Sequence, residues 1–416
     1  MLKSALGVLA FLLFGTVPFL AQSHNDEPSP AALEVLSVGP ENLAGSFPGV
    51  LGFDISPDGQ TLCLEVISAS DQSKQAISDQ NEQVIQIEEW DVPSRKRKAT
   101  KLIEGPAKLL LSNRQFRYDL RFMPDGLYLV ALAVARVFIL NAQTLTPLHE
   151  IGLPLEPASS PQFGWMLHGF GISGDGSKLG VVSRGVGPTC GDYSNFRLFD
   201  VESGALLSSW HFQGCSSRFS LSTNGTRALV GFRANQVEPW KGELVDTASG
   251  EILRTFPGGS GDFLDDLRFI SSIGYPDNPK PSDLKRAALG IINVNTQKVE
   301  HEMRYGKYGI VGQFAVAPSA GLVAVMETWQ NPKDLARDLT YTRGFVRLIL
   351  FRISDTEPFY ISPDIHDSPM FRSDYIARLS RDGRIVAYGG STIHVVKIVR
   401  SSGGSSTEGS AEVTRK

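Results

Sequence analysis

Short apolar segments alternate with tight polar turns along most of the chain. Five stretches show the pattern best: GFDISPDGQTLCLEV from Gly52, DLRFMPDGLYLVALA from Asp119, HGFGISGDGSKLGVV from His168, RFSLSTNGTRALVGF from Arg218 and YIARLSRDGRIVAYG from Tyr375. Each places two apolar runs around an Asp-Gly or Asn-Gly turn, which predicts an antiparallel hairpin. A weaker copy, QFAVAPSAGLVAVME from Gln313, keeps the Gly and has lost the Asp.

A second hairpin follows most copies of the first. These second halves are VIQIEEWDVPSRK, RVFILNAQTLTPLHEI, FRLFDVESGALLSSW, GELVDTASGEILRTF and RLILFRISDTEPFYI. The repeating unit is therefore a four-stranded antiparallel meander, with strands A to D. Units recur about every 50 residues, a period typical of a β-propeller, whose blades bury their faces only against neighbouring blades.

One unit has no recognisable turn motif, and it is identified by the length of the interval it occupies and by a duplicated motif. The interval between the turns at Asn224 and Ala320 is about two periods long, and within it DLRF at 266–269 duplicates DLRF at 119–122. ALGIINVNTQKVEHEM supplies the second half of this unit. The duplication predicts that Arg268 lies on strand A, as Arg121 does.

The sequence thus predicts an all-β fold, a seven-bladed β-propeller of four-stranded antiparallel blades over residues 32–399. The blades are expected near 51–103, 118–153, 168–214, 217–259, 265–309, 312–365 and 375–399. The last has only three strands, and ALEVLSV at 32–38 is expected to complete it and close the ring, which removes both open edges. Residues 400–416 contain few apolar side chains and are expected to be disordered.

The N-terminal residues and the net charge indicate where the protein is located and which class of partner it does not bind. Lys3 precedes an apolar stretch, and Ala21 and Ser23 are small residues at the two positions that a signal peptidase reads, which predicts a signal peptide over 1–23 and a secreted or periplasmic location. An uncleaved membrane anchor is the alternative. The net charge of −4 argues against a nucleic-acid partner, and the basic run 95–98 is interpreted as a solvated turn. We expect a monomer without a membrane span after signal cleavage.

These motifs resemble the secreted WD-repeat and YVTN-repeat β-propeller superfamily. The resemblance depends on Asp-Gly turns after an apolar strand, followed by FDVESG or VDTASG, and it covers nearly all of the predicted mature chain. Only Trp90-Asp91 shows the WD dipeptide, and the Gly-His pair of most WD repeats is missing, which favours a loosely related branch. The resemblance implies the fold but no single function, because such propellers include enzymes, electron-transfer subunits and binding scaffolds.

Meander geometry predicts that all B-to-C and D-to-A connections lie on one face of the disc. In this chain those connections are the long ones, and long connections in a compact repeat are usually functional or disordered. They contain aromatic residues of the kind found at interfaces: Trp165, Tyr193, Trp240, Trp329, Tyr341 and Phe371. Some of these side chains could instead fold inward over the blade ends.

The search for catalytic motifs finds no Gly-x-Ser-x-Gly elbow, phosphate loop or Cys-x-x-Cys, and the seven His residues lack metal-ligand spacing. His168 and His366 lie near the long connections, where a structural role is the more common one. We therefore expect no metal and no cofactor. The leading function is a noncatalytic propeller that binds a protein, peptide or glycan through the face with the long connections. The alternative is a lactonase-like or quinoprotein-type enzyme with its site at the mouth of the central channel.

The three cysteines are expected to play two roles. Cys190 and Cys215 fall in connections of one face at the same blade, which predicts a disulfide in an oxidising compartment. Cys63 alternates within an inner strand and is expected to stay a buried thiol.

A last expectation concerns the channel. Aligning the A strands on their turns brings Asp54, Arg121, Arg268 and Arg378 to one position of different blades. Since blade 7 adjoins blade 1 in a closed ring, Asp54 would lie between Arg378 and Arg121 and form an ion-pair network with a depressed carboxyl pKa. The functional alternative is an anion site that uses Arg268 and the Arg that Asp54 leaves free.

Overall fold

The computed structural model describes residues 31–38, 50–69, 83–104, 119–133, 136–152, 165–185, 193–233, 241–257, 261–273, 288–304, 309–329, 345–363, 375–390 and 392–399. The predicted signal peptide at 1–23 and the predicted tail at 400–416 lie outside these residues and stay predictions.

Within the described residues, twenty-eight strands form seven sheets of four. The chain begins its folded part with β1 (Ala31–Val38). Blade 1 follows with β2 (Val50–Ile55), β3 (Thr61–Ala69), β4 (Gln83–Asp91) and β5 (Lys96–Glu104). Blade 2 contains β6 (Asp119–Phe122), β7 (Tyr128–Ala133), β8 (Arg136–Asn141) and β9 (Pro147–Gly152). Blade 3 contains β10 (Trp165–Ile172), β11 (Lys178–Gly185), β12 (Tyr193–Asp200) and β13 (Leu206–Gln213).

The other four blades repeat this order. Blade 4 contains β14 (Cys215–Leu221), β15 (Arg227–Arg233), β16 (Lys241–Asp246) and β17 (Ile252–Pro257). Blade 5 contains β18 (Gly261–Phe263), β19 (Arg268–Ile273), β20 (Ala288–Asn293) and β21 (Val299–Arg304). Blade 6 contains β22 (Gly309–Ala317), β23 (Leu322–Trp329), β24 (Phe345–Arg352) and β25 (Tyr360–Ile361), with a 3₁₀ turn at Pro318–Ala320. Blade 7 contains β26 (Ile376–Leu379), β27 (Ile385–Gly389) and β28 (Ile393–Val399).

The ring closes through the two ends of the folded chain. Strand β1 pairs antiparallel with β28, from Ala31 opposite Val399 to Val38 opposite Ile393, and so becomes the fourth strand of blade 7. The prediction of an all-β, seven-bladed propeller closed by an N-terminal strand is confirmed.

Blade 5 begins earlier than its sequence suggested. Its first strand starts at Gly261, before the predicted start at Asp265. The copied DLRF motif spans the A–B turn and the start of β19, because the backbone N–H groups of Leu264 and Asp265 both donate to the carbonyl oxygen of Arg268. Sequence duplication therefore misplaced this motif by one element.

Among the residues that the structure describes, seven apolar clusters hold the ring together, and each lies between two successive blades. Strand alternation explains this, because successive side chains of one strand face opposite neighbouring blades. At the closure, Phe53 and Leu62 of blade 1 pack against Ile385 and Val395 of blade 7, all nearly inaccessible to water. Blade 7 therefore packs against blade 1 as the other blades pack against their neighbours.

The A–B turns repeat one hydrogen-bonding scheme. In blade 1 the hydroxyl of Ser56 donates to Asp58 Oδ1 at 2.6 Å, the same oxygen accepts from Gln60 N–H, and Ser56 Oγ accepts from Thr61 N–H. Gly59 has a φ of 71°, which few other residues adopt without strain. Equivalent Ser pairs with Asp or Asn occur in blades 3, 4 and 7.

Two faces of the disc follow from this topology. The short-turn face contains the A–B and C–D turns. The turn at 92–95 is among the shortest of them, and the turn at 353–359 is the longest. The long-loop face contains the strand ends that the B–C and D–A connections join. The connecting segments that lie outside the described residues are 39–49, 70–82, 105–118, 134–135, 153–164, 186–192, 234–240, 258–260, 274–287, 305–308, 330–344, 364–374 and 391.

Candidate functional site

The long-loop face contains the ends of the strands at which the predicted binding aromatics lie. Trp165 starts β10, Tyr193 starts β12 and Trp329 ends β23, and all three strand ends are at this face. Trp329 is the cross-strand neighbour of both Gly309 and Phe345. Trp240, Tyr341 and Phe371 lie outside the described residues, so the structure places half of the predicted set on one face.

A buried ion pair that the sequence analysis missed supports one edge of this face. Glu327 is inaccessible to water and accepts a hydrogen bond from Nε of Arg347, its cross-strand neighbour in blade 6. On β23, Glu327 lies two residues before Trp329, and segment 330–344 begins directly after Trp329. The ion pair therefore joins the two strands that carry the longest B–C connection of the chain.

A second polar site lies in the channel, where blades 7, 1 and 2 meet. We call Asp54, Asp119, Arg121 and Arg378 the closure network. Arg378 Nη2 donates to Asp119 Oδ1 at 2.8 Å, and its Nε lies 3.8 Å from Asp54 Oδ1. Arg121 Nε donates to the same Asp119 oxygen at 3.3 Å. Two guanidiniums from blades 7 and 2 therefore converge on Asp119, and that of Arg378 also lies near Asp54.

Asp54 instead connects the backbones of two innermost strands. Its Oδ2 accepts from the N–H of Phe122 in blade 2 at 2.7 Å, and its Oδ1 accepts from the N–H of Ile55. Ser220 does the same between blades 4 and 5, since its Oγ accepts from the N–H of Phe263. This A-strand position therefore joins adjacent blades in two parts of the ring.

The turns next to the closure network reinforce the same junction on the short-turn face. The N–H of Arg381 in blade 7 donates to the Pro57 carbonyl of blade 1, and its Nη1 donates to the Pro124 carbonyl of blade 2 at 3.0 Å. Ser319 of blade 6 donates to the Arg381 carbonyl. The last blade is thus bonded to its neighbours and to the blade beyond.

The two carboxyl groups of the closure network titrate in opposite directions. Burial raises the pKa of Asp54 to about 6, although Arg378 and Arg121 partly offset burial. Burial also acts to raise the pKa of Asp119, but the adjacent Arg121 and Arg378 outweigh it and hold that pKa below its usual value. The expectation of a depressed pKa for Asp54 is wrong, because burial outweighs the charges of Arg378 and Arg121 at this carboxyl.

Arg268 does not belong to the channel position that the sequence alignment gave it. It begins β19, the second strand of blade 5, and its Nη2 lies 2.7 Å from Asp265 Oδ2. About half of its side chain is exposed, at 47%. The expectation is wrong because the A–B turn of blade 5 carries the copied motif. Asp119, which the alignment overlooked, lies two residues before Arg121 and so on the same side of β6.

The structure tests the prediction for Cys63 and leaves the predicted disulfide untested. Cys63 is a free thiol, fully buried in β3, and burial together with Glu89 and Asp54 raises its pKa, as expected of an inert core thiol. Cys190 lies outside the described residues, so the Cys190–Cys215 disulfide stays a prediction.

No group of three His, Cys, Asp or Glu side chains within the described ranges is arranged to hold a metal ion. In the same part of the chain, no helix has the length and apolar character needed to cross a membrane. In the closure network both guanidiniums donate to Asp119, and Asp54 joins the backbones of blades 1 and 2, an arrangement suited to fixing blades.

Comparison with known proteins identifies the fold but no function. No family model and no curated protein matches the chain. A chain in the crystal structure of the mitotic checkpoint complex matches with a TM-score of 0.52 and 13% sequence identity, over 95% of this chain and 99% of that one. Because 1008 chains of solved structures match in this comparison, the fold is widespread and does not specify a function. The chain is a seven-bladed β-propeller.

Proposed function

We propose that the protein is a noncatalytic scaffold that binds a protein partner through its long-loop face; a peptide or a glycan is the other ligand class that such a face accommodates. The observation that carries the proposal is the distribution of chain length. Every A–B and C–D connection is a short turn, whereas the segments between 70 and 82, 105 and 118, 153 and 164, 274 and 287, and 330 and 344 all join strand ends of the long-loop face.

Extra length confined to one face of a rigid ring is how binding surfaces are commonly built, because the scaffold fixes the positions of variable segments. Aromatic residues at these strand ends and within these segments supply large contact area with little loss of side-chain freedom. The similar chain belongs to a multi-protein complex, which agrees with a scaffold role. With the signal peptide predicted at 1–23, we place this binding outside the cytoplasm, in a secreted or periplasmic setting.

The test is crosslinking capture of partners by the mature protein in its native compartment, followed by identification of the captured molecule and a direct binding measurement. Trp329→Ala and Trp240→Ala are expected to weaken binding at least tenfold, the loss of about 1.4 kcal/mol that removal of an aromatic anchor commonly exceeds. Both variants should keep the melting temperature of the wild type within a few degrees.

Leu127→Ala is the matched control, because Leu127 is a large apolar side chain on the short-turn face with 62% of its surface exposed. It should leave affinity unchanged. Equal loss in the Leu127 variant, or unchanged affinity in both Trp variants, would contradict binding through the long-loop face. A bound cofactor together with turnover at the channel mouth would replace the scaffold by the enzyme alternative.

A further inference from the structure

Asp54 occupies the junction where the ring closes, and its surroundings are unusual for a carboxylate. Only 8% of the residue is exposed. It accepts backbone hydrogen bonds from blades 1 and 2, and its nearest cation is Arg378 of blade 7. Any change in its charge therefore acts on three blades at once.

The countercharge of Arg378 is divided unequally between two carboxylates. Its guanidinium makes the short contact of 2.8 Å with Asp119 and the long contact of 3.8 Å with Asp54. Charge-assisted hydrogen bonds weaken with distance, so Asp119 receives most of the stabilisation. Arg121 also donates to Asp119.

Other ionisable groups lie on the strands beside β2. On β3, Cys63 is its cross-strand partner and Glu65 is fully buried. A Cβ placed on Gly52 would lie 3.4 Å from Glu65 Oε2 and 3.3 Å from Asp119 Cα, so these two acidic residues flank the same strand. On β4, Glu89 is buried beside Cys63. The packed part of β27 is apolar and includes Ile385 and Ala387.

We propose that Asp54 takes up a proton between neutral and mildly acidic pH, and that this uptake strengthens the junction of blades 7, 1 and 2. The geometry is a buried carboxylate whose nearest guanidinium, that of Arg378, makes its short contact with Asp119 and its long one with Asp54. The pKa of about 6 that burial imposes on Asp54 agrees with it. A protonated Asp54 keeps an oxygen that accepts from Phe122 N–H, and Arg378 keeps its bond to Asp119.

The direction of the pH effect follows from linkage. Between the ordinary carboxyl pKa of 3.8 and the folded value of about 6, the folded chain binds a proton at Asp54 that the unfolded chain does not. Stability from this group is therefore present in full below the unfolded pKa and is lost as the pH rises through 6. Asp119 works in the opposite sense, because its lowered pKa adds stability that is lost only when the pH falls below the ordinary carboxyl range.

The experiment compares unfolding of the wild type and Asp54→Asn by denaturant at pH 7 and pH 5. The ratio of their folding equilibrium constants is expected to shift about tenfold in favour of the wild type on acidification, given a folded pKa of about 6. Asp58→Asn is the matched control, since Asp58 is an exposed carboxyl of the same blade and blade 4 has Asn224 at the equivalent turn position. Its profile should follow the wild type.

A second measurement tests the proposal even if Asp54→Asn does not fold. The carboxyl ¹³C signal of Asp54 in the wild-type protein should titrate with a midpoint near 6. A midpoint below about 4.5, close to the ordinary range of aspartate, would overturn the proposal, as would parallel pH profiles for the wild type and Asp54→Asn.

Discussion

A chain that lacks residues 31–38 is expected not to fold into a soluble monomer. Without β1, strand β28 becomes the open edge of blade 7, and its Val396 and Ile398 belong to the cluster shared with blade 6. Its Ile393 and Val395 belong to the cluster that closes the ring against blade 1. Open apolar edge strands pair with other chains, so the deletion should give aggregates by light scattering and no cooperative thermal transition.

A peptide that supplies β1 in trans is the control for this deletion. A synthetic peptide of residues 31–38 with short flanks should restore solubility and a cooperative transition, whereas a scrambled peptide of the same composition should not. A deletion variant that remains monomeric and melts at the wild-type temperature would show that β1 does not contribute to closure.

The second large effect is expected for Arg378→Met. Arg378 is 4% exposed and supplies the short ion pair to Asp119. Its removal leaves Asp119 with Arg121 alone, whose hydrogen bond is longer at 3.3 Å, and leaves Asp54 without its nearest cation. Breaking a buried ion pair at one partner costs about 3–5 kcal/mol. Chemical denaturation at pH 7 should show a loss of free energy of unfolding in this range.

Arg268→Met is the matched control, because Arg268 forms its ion pair with Asp265 near the surface. Exposed pairs contribute about 0–1 kcal/mol, so this variant should unfold almost as the wild type does. The double variant Arg378→Met/Asp119→Leu should recover part of the loss, since it removes the uncompensated charge. Equal stability of the Arg378 and Arg268 single variants would contradict a structural closure network.

The sequence allowed the fold to be predicted because local and long-range signals agree. The Ser-x-Asp-Gly turns specify their own hydrogen bonds, as Ser56, Asp58 and Gly59 illustrate. Period-two alternation then determines which side chains face each neighbouring blade. The missing fourth strand of blade 7 could be matched with 32–38 because a ring leaves no other place for an orphan strand.

The errors have physical causes that sequence alone does not reveal. The DLRF copy at blade 5 looks like an A strand, but a shortened turn moves Arg268 into the second strand. We expected the pKa of Asp54 to be lowered because the sequence pattern shows which residues share a strand position but gives no distances between their side chains. Burial raises the pKa of Asp54, and Arg378, which lies 2.8 Å from Asp119 and 3.8 Å from Asp54, offsets burial only in part.

Asp119 could have been found from the sequence. It precedes Arg121 by two residues on the same strand, so alternation places both side chains on one side of β6. The aromatic residues of the long-loop face are a different case, because Trp240, Tyr341 and Phe371 lie outside the described residues. Their assignment to a binding surface depends on function experiments.

The most direct test of closure by the N-terminal strand is an engineered disulfide between β1 and β28. Leu33 and Lys397 are cross-strand partners, and Lys397 is exposed, so Leu33→Cys/Lys397→Cys places two thiols at a separation suited to a disulfide. Glu34→Cys/Lys397→Cys is the control, because Glu34 pairs with Val396 and not with Lys397, and neighbouring positions of a strand belong to opposite faces of a sheet. After mild oxidation, a faster band on a nonreducing gel is expected for the first variant and not for the second. The absence of a crosslink in the first variant, or equal crosslinking in both, would contradict a ring closed by β1.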